Sequence, residues 1–430
     1  MGARDVLQIP LLMAACLAAL TSCSTSVDEP PPDQTVPVFR EARAITASDA
    51  EDFGYFGTCV AIDGDYAIVG GGFSGDVRGK AYVFYRLQGG ADGWGETKIL
   101  RGSDTVNSDS FGYAVAIAGA HAIVGAQNAG NDGSGAAYIF SRDLGGAGHW
   151  GEARKLVAAD PQMGSSFGSS VAIDGDIAVV GAPERGFGMS TGAVYVFYRN
   201  AGGSDQWGQV KRIVPTSPDH YDWFGASIAL KDGILAVGAP FSGMGQLYGA
   251  AYVFYRDGGG TDNWGEIKRL VANDAENADM LGSSIGLDGD HVVVGSEYED
   301  GAGDTRGAAY VFQRSLGGPD YWGQSRKLTA IDAEDQDGFG VAVAVSGTDF
   351  LVGAPYKGPS RNNRGLVLFY SPELPNGWGE RCRCAASDAQ DGDGYGYAVG
   401  IDGDYAIVGA RFKNGPGSYR GAVYILKRER

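Results

Sequence analysis

The chain has 430 residues, of which 71 are glycine and 11% are aromatic, and its formal net charge at pH 7 is −18. Abundant glycine combined with abundant aromatic residues is typical of an all-β fold with many tight turns. Because an acidic surface repels phosphate backbones, this charge argues against nucleic acid as a partner.

Residues 1–22 have the features of an export signal. Arg4 supplies a short basic region, and the apolar stretch over residues 6–20 is too short to span a bilayer as a stable helix. It ends in Leu-Thr-Ser-Cys at residues 20–23, which resembles the lipobox of bacterial lipoproteins. The resemblance implies cleavage before Cys23, a lipid on the Cys23 thiol and, with Ser24 next, sorting to the bacterial outer membrane. The alternative is an ordinary signal peptide with an incidental cysteine.

Residues 23–37 are predicted to form a disordered tether. They are rich in Pro, Ser, Thr and Asp and carry too few apolar side chains to fold. The sequence therefore predicts a folded region over residues 38–430 that reaches the membrane only through its lipid.

One unit of about 55 to 58 residues recurs seven times after the tether. It begins with an aromatic residue and glycine, continues with Val-Gly-Ala or a close variant and a Gly-Ala-x-Tyr-Val-Phe run, and ends in Trp-Gly-Glu or Trp-Gly-Gln. The first pairs start at Phe56, Phe111, Phe167, Phe224, Leu281, Phe339 and Tyr395. The repeats cover about 46–100, 101–156, 157–213, 214–270, 271–328, 329–385 and 386–430, the last completed by 38–45.

Each unit contains four short β-type runs, which predicts a seven-bladed β-propeller with four-stranded antiparallel blades. The dipeptide Asp-Gly, which favours a type I′ hairpin turn, lies between the first two runs of several units. Examples begin at Asp63, Asp174, Asp288 and Asp402.

The last blade is expected to be closed by the N-terminal strand. The seventh unit ends without its Trp-Gly-Glu strand, whereas Phe39-Arg-Glu-Ala-Arg near the start aligns with Trp150-Gly-Glu-Ala-Arg. Pairing the two ends closes the ring and removes an exposed sheet edge.

The pattern of Phe-Gly followed by Gly-Ala-Pro resembles the FG-GAP repeats of integrin α-subunit propellers and of many bacterial surface proteins. The resemblance covers residues 39–430 and implies a monomeric binding or adhesion scaffold that recognises a surface protein or a glycan. Integrin-type repeats often carry a Ca²⁺ loop between their first two strands. Here that loop shrinks to Asp-Gly-Asp or less, too short to surround Ca²⁺ with oxygens, so this site is not carried over.

Aspartates recur in a second loop, which joins the last strand of one blade to the first strand of the next. One interpretation is a Ca²⁺ or cation site, and the other is that each Asp caps a turn through backbone N–H groups. The densest copies, and thus the candidate metal ligands, are Asp332, Asp335, Asp337, Asp388, Asp391 and Asp393.

The loops between the second and third strands differ most among the units. Aromatic and arginine residues that vary within regular repeats suggest ligand recognition, although ordinary solvated loop tips are the alternative. The candidate ligand-binding residues are Trp223, Tyr248, Tyr298, Tyr356, Arg361, Arg364, Arg411 and Tyr419.

Catalytic motifs are lacking, so the sequence favours a protein that is not an enzyme. No nucleophile elbow and no phosphate-binding loop occurs among the 430 residues. The alternatives are a glycan-active propeller, either a polysaccharide lyase or a hydrolase, and a structural component of an envelope complex. The states of Cys382 and Cys384 stay open between free thiols and a strained local bridge.

Overall fold

The computed structural model describes residues 37–430 except 72–78, 131, 185–190, 219–220, 244, 302, 359–361, 375–376, 416 and 430. The predicted signal, Cys23, nearly all of the tether and Arg361 lie outside the described residues. Residues 37–430 form one compact unit. Its described residues form 28 strands in seven four-stranded antiparallel sheets and include no helix long and apolar enough to cross a membrane.

The strands follow the repeats. Blade 1 holds β2 (Cys59–Asp63), β3 (Tyr66–Gly71), β4 (Lys80–Tyr85) and β5 (Gly95–Leu100), and blade 2 holds β6 (Phe111–Ala118), β7 (His121–Ala126), β8 (Ala136–Ser141) and β9 (Gly151–Leu156). Blade 3 holds β10 (Ser170–Asp174), β11 (Ile177–Ala182), β12 (Ala193–Tyr198) and β13 (Gly208–Ile213), and blade 4 holds β14 (Ser227–Lys231), β15 (Ile234–Ala239), β16 (Ala250–Tyr255) and β17 (Gly265–Leu270).

The remaining blades repeat this order. Blade 5 holds β18 (Ser284–Asp288), β19 (His291–Ser296), β20 (Ala308–Gln313) and β21 (Gly323–Leu328), and blade 6 holds β22 (Ala342–Ser346), β23 (Asp349–Ala354), β24 (Leu366–Leu374) and β25 (Gly377–Cys384). Blade 7 holds β26 (Tyr395–Asp402), β27 (Tyr405–Ala410), β28 (Ala422–Glu429) and, as its outermost strand, β1 (Val38–Ile45).

The first strands of the blades form a closed ring around a central axis. Each of β2, β6, β10, β14, β18, β22 and β26 contacts the next, and β26 contacts β2. The predicted seven-bladed propeller is confirmed.

The N-terminal strand closes blade 7, as expected. Strand β1 runs antiparallel to β28, with Phe39 opposite Arg428 and Ile45 opposite Val423. The Phe39 ring is buried and stacks on Phe369 of blade 6 with ring centroids 4.3 Å apart. Cys384 is a free thiol that donates a hydrogen bond to the Phe39 carbonyl (3.1 Å), so this strand is fixed to blade 6 as well as to β28.

Glycines recur because the blades approach each other through their backbones. Gly192 forms an isolated parallel bridge with Phe224 of the next blade, and a Cβ on Gly192 would lie 2.2 Å from the Phe224 carbonyl oxygen. Gly192 also has a φ of +106°, which side chains rarely adopt. The same bridge joins Gly79 to Phe111, Gly135 to Phe167, Gly249 to Leu281, Gly307 to Phe339, Gly365 to Tyr395 and Gly421 to Phe56. The aromatic-Gly pair is therefore the point where one blade meets the next.

Tryptophans fill the outer part of the blades, as their repeat position indicates. Trp94, Trp150, Trp207, Trp264 and Trp322 are each at most 2% exposed, whereas Trp378 is half-buried at the start of β25. The Trp264 indole donates to the Tyr198 hydroxyl of the preceding blade (3.0 Å). The tryptophans therefore pack neighbouring blades together.

The predicted turn type at the Asp-Gly dipeptides is wrong. Asp63 is the last residue of β2, the loop is Gly64-Asp65, and only Gly64 has a positive φ. This φ pattern fits a type II′ turn, which has glycine at its first central position. A type I′ pattern occurs in blade 4, at Asp232-Gly233. The strand-ending aspartates accept backbone hydrogen bonds from the turn of the next blade, as Asp63 does from Gly119 (2.7 Å). These aspartates therefore join neighbouring blades, a role that spacing alone does not reveal.

Candidate functional site

The first strands of all seven blades surround a cavity of about 250 Å³ on the propeller axis. Its wall consists largely of small side chains, and several of their polar atoms are bonded within the protein. The hydroxyls of Ser170, Ser227 and Ser284 each donate to the carbonyl of a glycine in the next blade, at 2.6 to 2.8 Å, and the Cys59 thiol does the same to Gly112 at 3.2 Å. Burial raises the pKa of Cys59 to about 12. The wall of the cavity therefore supports the fold, and the candidate functional side chains lie at the mouth of the cavity.

Two repeat positions sit at the mouth, where the first strands begin. The residue after the aromatic-Gly pair lines the cavity and is small or β-branched in four blades that line it, but it is Tyr113 in blade 2 and Tyr397 in blade 7. The residue after Val-Gly-Ala or its variant is proline in blades 3, 4 and 6, but it is Glu297 in blade 5 and Arg411 in blade 7. Large and charged side chains are thus concentrated on part of the ring.

Arg411 is held by aromatic rings. Its guanidinium carbon lies 4.2 Å from the ring centroid of Tyr397, 4.7 Å from that of Phe412 and 5.3 Å from that of Tyr55. Its Nε is buried without a hydrogen-bond partner, and no described carboxylate forms an ion pair with Arg411. Such cation–π contacts orient a guanidinium and leave its edge to donate.

Glu297 supplies a carboxyl group to the same region. Burial raises the pKa of Glu297 above its ordinary value, and no hydrogen bond or ion pair to its carboxyl group occurs within the described part of the chain. The Glu297 charge, followed by burial, raises the pKa of Tyr298. Burial and the nearby Tyr397 and Glu297 raise the pKa of Tyr356. A half-buried carboxyl group with a raised pKa beside a cavity is a candidate for function.

Exposed aromatic rings continue from Arg411 outward. Tyr419 stacks on Tyr55 with an interplanar angle of 11° and a centroid separation of 5.8 Å, and Phe53 lies 5.8 Å from Tyr419. Tyr419 is 39% exposed and Phe53 48% exposed. We call this group of residues the mouth cluster: Phe53, Tyr55, Tyr113, Glu297, Tyr298, Tyr356, Tyr397, Arg411, Phe412 and Tyr419.

The structure brings together only some of the predicted ligand-binding residues. Tyr298, Tyr356, Arg411 and Tyr419 belong to the mouth cluster. Trp223 instead packs edge-on against Phe241 (4.4 Å), the Tyr248 hydroxyl donates to Gln246 (3.3 Å), and Arg364 forms an ion pair with Asp391 (2.8 Å). Arg361 lies outside the described residues.

The candidates named from the sequence omit six members of the mouth cluster: Phe53, Phe412, Tyr55, Tyr113, Glu297 and Tyr397. The last four each lie next to a repeat motif rather than in a variable loop. A signal was present, because Glu297 stands where other units have proline and Tyr397 stands where others have a small residue. Departures from the repeat at its regular positions therefore indicate the site better than the variable loops do.

The candidate metal ligands are each bonded within the protein. Asp337 accepts a hydrogen bond from the Glu334 backbone (2.7 Å), and Asp393 accepts one from Gln390 (2.8 Å). The ion pairs are Asp332 with Arg383 (2.9 Å) and Lys357 (3.4 Å), Asp335 with Arg306 (3.0 Å), Asp337 with Lys357 (2.8 Å), Asp388 with Lys413 (3.1 Å), Asp391 with Arg364 (2.8 Å) and Asp393 with Lys413 (2.9 Å).

Equivalent aspartates in other blades have the same partners. Asp104 pairs with Lys155 (2.6 Å) and accepts from the Tyr138 hydroxyl (2.7 Å), and these contacts with Lys155 and Tyr138 hold the pKa of Asp104 below its usual value. Within the described ranges, no three His, Cys, Asp or Glu residues lie close enough to share a metal ion. The geometry favours the interpretation in which these aspartates fix the loops between blades.

The sequence pattern of one known family, described as FG-GAP repeat, matches the chain seven times. The matched residues are 39–84, 94–140, 150–197, 207–254, 264–312, 322–367 and 378–426. A search of the curated proteins found no match.

Proposed function

The chain belongs to the FG-GAP repeat family, and we propose that it is a binding or adhesion scaffold that recognises a protein or glycan ligand through the mouth cluster. FG-GAP propellers are generally non-enzymatic. The fold alone does not identify a function, whereas the side chains of the site can indicate one.

The uneven distribution of side chains at the mouth is the observation that carries this proposal. Framework positions are repeated in nearly every blade, since the seven interblade bridges and the buried tryptophans keep their places. At the mouth the repetition fails on blades 1, 2, 5, 6 and 7. There, Tyr, Glu and Arg side chains either replace the usual small residue or proline, or lie next to one of those positions. A structural role would be met equally by each repeat, so a cluster of aromatic and charged residues that does not repeat around the ring indicates recognition.

A test compares the protein with a variant whose mouth is returned to the repeat. The protein produced without residues 1–23 is screened on glycan and protein arrays, with and without Ca²⁺, beside a variant carrying Tyr113→Ser, Glu297→Pro, Tyr397→Ser and Arg411→Pro. These are residues that other blades carry at the same positions. We expect the ligand bound by the wild type to be lost in the variant. The control variant, Val106→Ser with Ile331→Ser, changes two exposed apolar residues and should keep binding.

A glycan-active enzyme is the second candidate function, and Glu297 is the observation that favours it. A carboxyl group whose pKa is raised by burial can act as a general acid, and Tyr298 and Tyr356 lie beside it. The same array glycans are incubated with the protein and analysed by mass spectrometry. Cleaved products that disappear in Glu297→Gln would favour the enzyme, whereas intact glycans favour the binding scaffold.

The proposed location is the bacterial outer membrane, with the lipid on Cys23 as anchor. The support is the Leu-Thr-Ser-Cys tetrapeptide at residues 20–23. Metabolic labelling with a fatty-acid analogue should mark the protein, and Cys23→Ala should abolish the label. Label that persists in Cys23→Ala would rule out this anchor, and Cys16→Ala is the matched control that should keep it.

A further inference from the structure

We propose that the mouth cluster recognises an acidic glycan, with Arg411 binding a carboxylate of the glycan while a sugar ring rests on Tyr419 and Phe53. This inference rests on the proposed function and specifies its ligand. It follows from the state of Arg411 and from the exposed rings beside the arginine.

Arg411 differs from the other arginines of its surroundings. Three arginines recur at an equivalent loop position, and each is paired with an aspartate on an adjacent blade: Arg306 with Asp335 (3.0 Å), Arg364 with Asp391 (2.8 Å) and Arg420 with Asp52 (2.9 Å). Arg411 has three aromatic contacts but no carboxylate partner in the described part of the chain. Arg411 is half-buried and its Nε is buried without a partner, so a carboxylate supplied by a ligand would stabilise this partly desolvated cation.

The geometry of Arg411 suits a carboxylate. Tyr397 and Phe412 contact the guanidinium at 4.2 and 4.7 Å from their ring centroids, which limits its rotation. The remaining N–H groups lie in the guanidinium plane and form the fork that binds both oxygens of a carboxylate. Because the rings fix the fork before the ligand arrives, less side-chain entropy is lost on binding.

The rings next to Arg411 favour a glycan over a peptide. Tyr419 and Phe53 expose flat apolar surface beside Tyr55, and the C–H face of a pyranose ring packs on such a surface. An extended peptide commonly binds by adding a strand to an unpaired sheet edge. Each first strand is an edge strand that faces the cavity on the ring axis, so an extended peptide could pair with it only inside the cavity, whereas Tyr419 and Phe53 lie outside the cavity lining.

The experiment compares an oligosaccharide of glucuronic acid with its carboxyl-reduced form. Isothermal titration calorimetry is carried out on the protein lacking residues 1–23. We expect the acidic oligosaccharide to bind at least about tenfold more tightly than the reduced form, and added salt to weaken the acidic one alone. Equal binding of the two forms would overturn the inference.

Substitutions assign the effect to individual side chains. Arg411→Gln should remove the preference for the acidic form, while Tyr419→Ala should weaken both forms to a similar extent. Arg306→Gln, which removes a paired arginine from an equivalent loop, is the control and should leave the preference unchanged. A preference that survives Arg411→Gln would contradict the assignment.

The outcomes separate this inference from the proposed function. If a neutral glycan or an acidic peptide binds in place of the acidic glycan, and binding is lost in the variant with the mouth returned to the repeat, the proposed function holds and this inference fails. If the wild type and that variant bind alike, both fail.

Discussion

At the scale of single residues, Glu297 gives a prediction about pH. Burial raises its pKa in the folded protein, so the folded state binds the Glu297 proton more tightly than the unfolded state does. The resulting stabilisation is full at pH below the ordinary glutamate pKa and is lost as the pH rises through the folded pKa. Glu297→Gln should therefore raise the melting temperature at pH 7 and leave it nearly unchanged at pH 4.

Differential scanning fluorimetry at the two pH values checks this prediction. Glu373→Gln changes an exposed glutamate and serves as the control, with a small effect at both pH values. An unchanged melting temperature of Glu297→Gln at pH 7 would show that the carboxyl group is better solvated than the geometry indicates. A stabilising substitution at a functional position is a common sign of a site that is not optimised for stability.

The glycines of blade 3 give a second prediction. Gly192 and Gly175 both have positive φ, but a Cβ would meet the Phe224 carbonyl oxygen at 2.2 Å from Gly192 and nothing within 4 Å from Gly175. Gly175→Ala should cost about 1 to 2 kcal/mol for the left-handed backbone alone. Gly192→Ala should cost more than about 3 kcal/mol, because blades 3 and 4 must also separate. Urea unfolding of the two variants measures the difference, and equal costs would contradict the role assigned to the bridge.

At the scale of elements, strand β1 gives a third prediction. Deleting residues 38–46 removes the buried Phe39 and Ile45 and leaves the backbone of β28 unpaired on one side. The truncated protein should aggregate or lose several kcal/mol of stability. Deleting residues 24–36 should leave folding unchanged. Denaturant unfolding and size-exclusion chromatography compare the two deletions.

The pairing of the ends can also be tested by a crosslink. Arg40 and Lys427 are opposite each other in β1 and β28, so Arg40→Cys with Lys427→Cys should form a disulfide within the monomer. A 38–46 deletion as stable as the intact propeller, or a crosslink only between molecules, would contradict closure by β1.

The elements were predictable from the sequence to different degrees. A period shared by seven units determined the blades, and the missing seventh outer strand revealed the role of Phe39 to Ile45. The turns were less accessible, since Asp63-Gly64 suits two hairpin types, and only the structure shows that Asp63 ends β2 instead of lying in the loop. The mouth cluster was least accessible. Glu297 and Tyr397 are far apart in sequence, and only the closed ring brings both to one end of the cavity.

At the scale of the whole molecule, the aspartates give a fourth prediction. The recurrent loop aspartates are bonded to Lys, Arg, Tyr or backbone groups, so the propeller holds much of its negative charge in internal contacts. EDTA should lower the melting temperature by no more than a few degrees. A large stabilisation by Ca²⁺ would show that loops around Asp332 and Asp388 bind metal, and Asp332→Asn with Asp388→Asn should then remove it.

The closing of blade 7 by β1 has a consequence for how the chain folds during synthesis. Strand β1 leaves the ribosome before any other strand of the propeller, yet its partner β28 leaves last. The contact that completes the ring is therefore also the one with the greatest separation along the chain, and such contacts are slow to form. Until blade 6 and β28 have been synthesised, Phe39 lacks both Phe369 and the strand that it packs against in the folded propeller. A nascent propeller of this kind would benefit from a chaperone for the whole time that its first strand waits for its last.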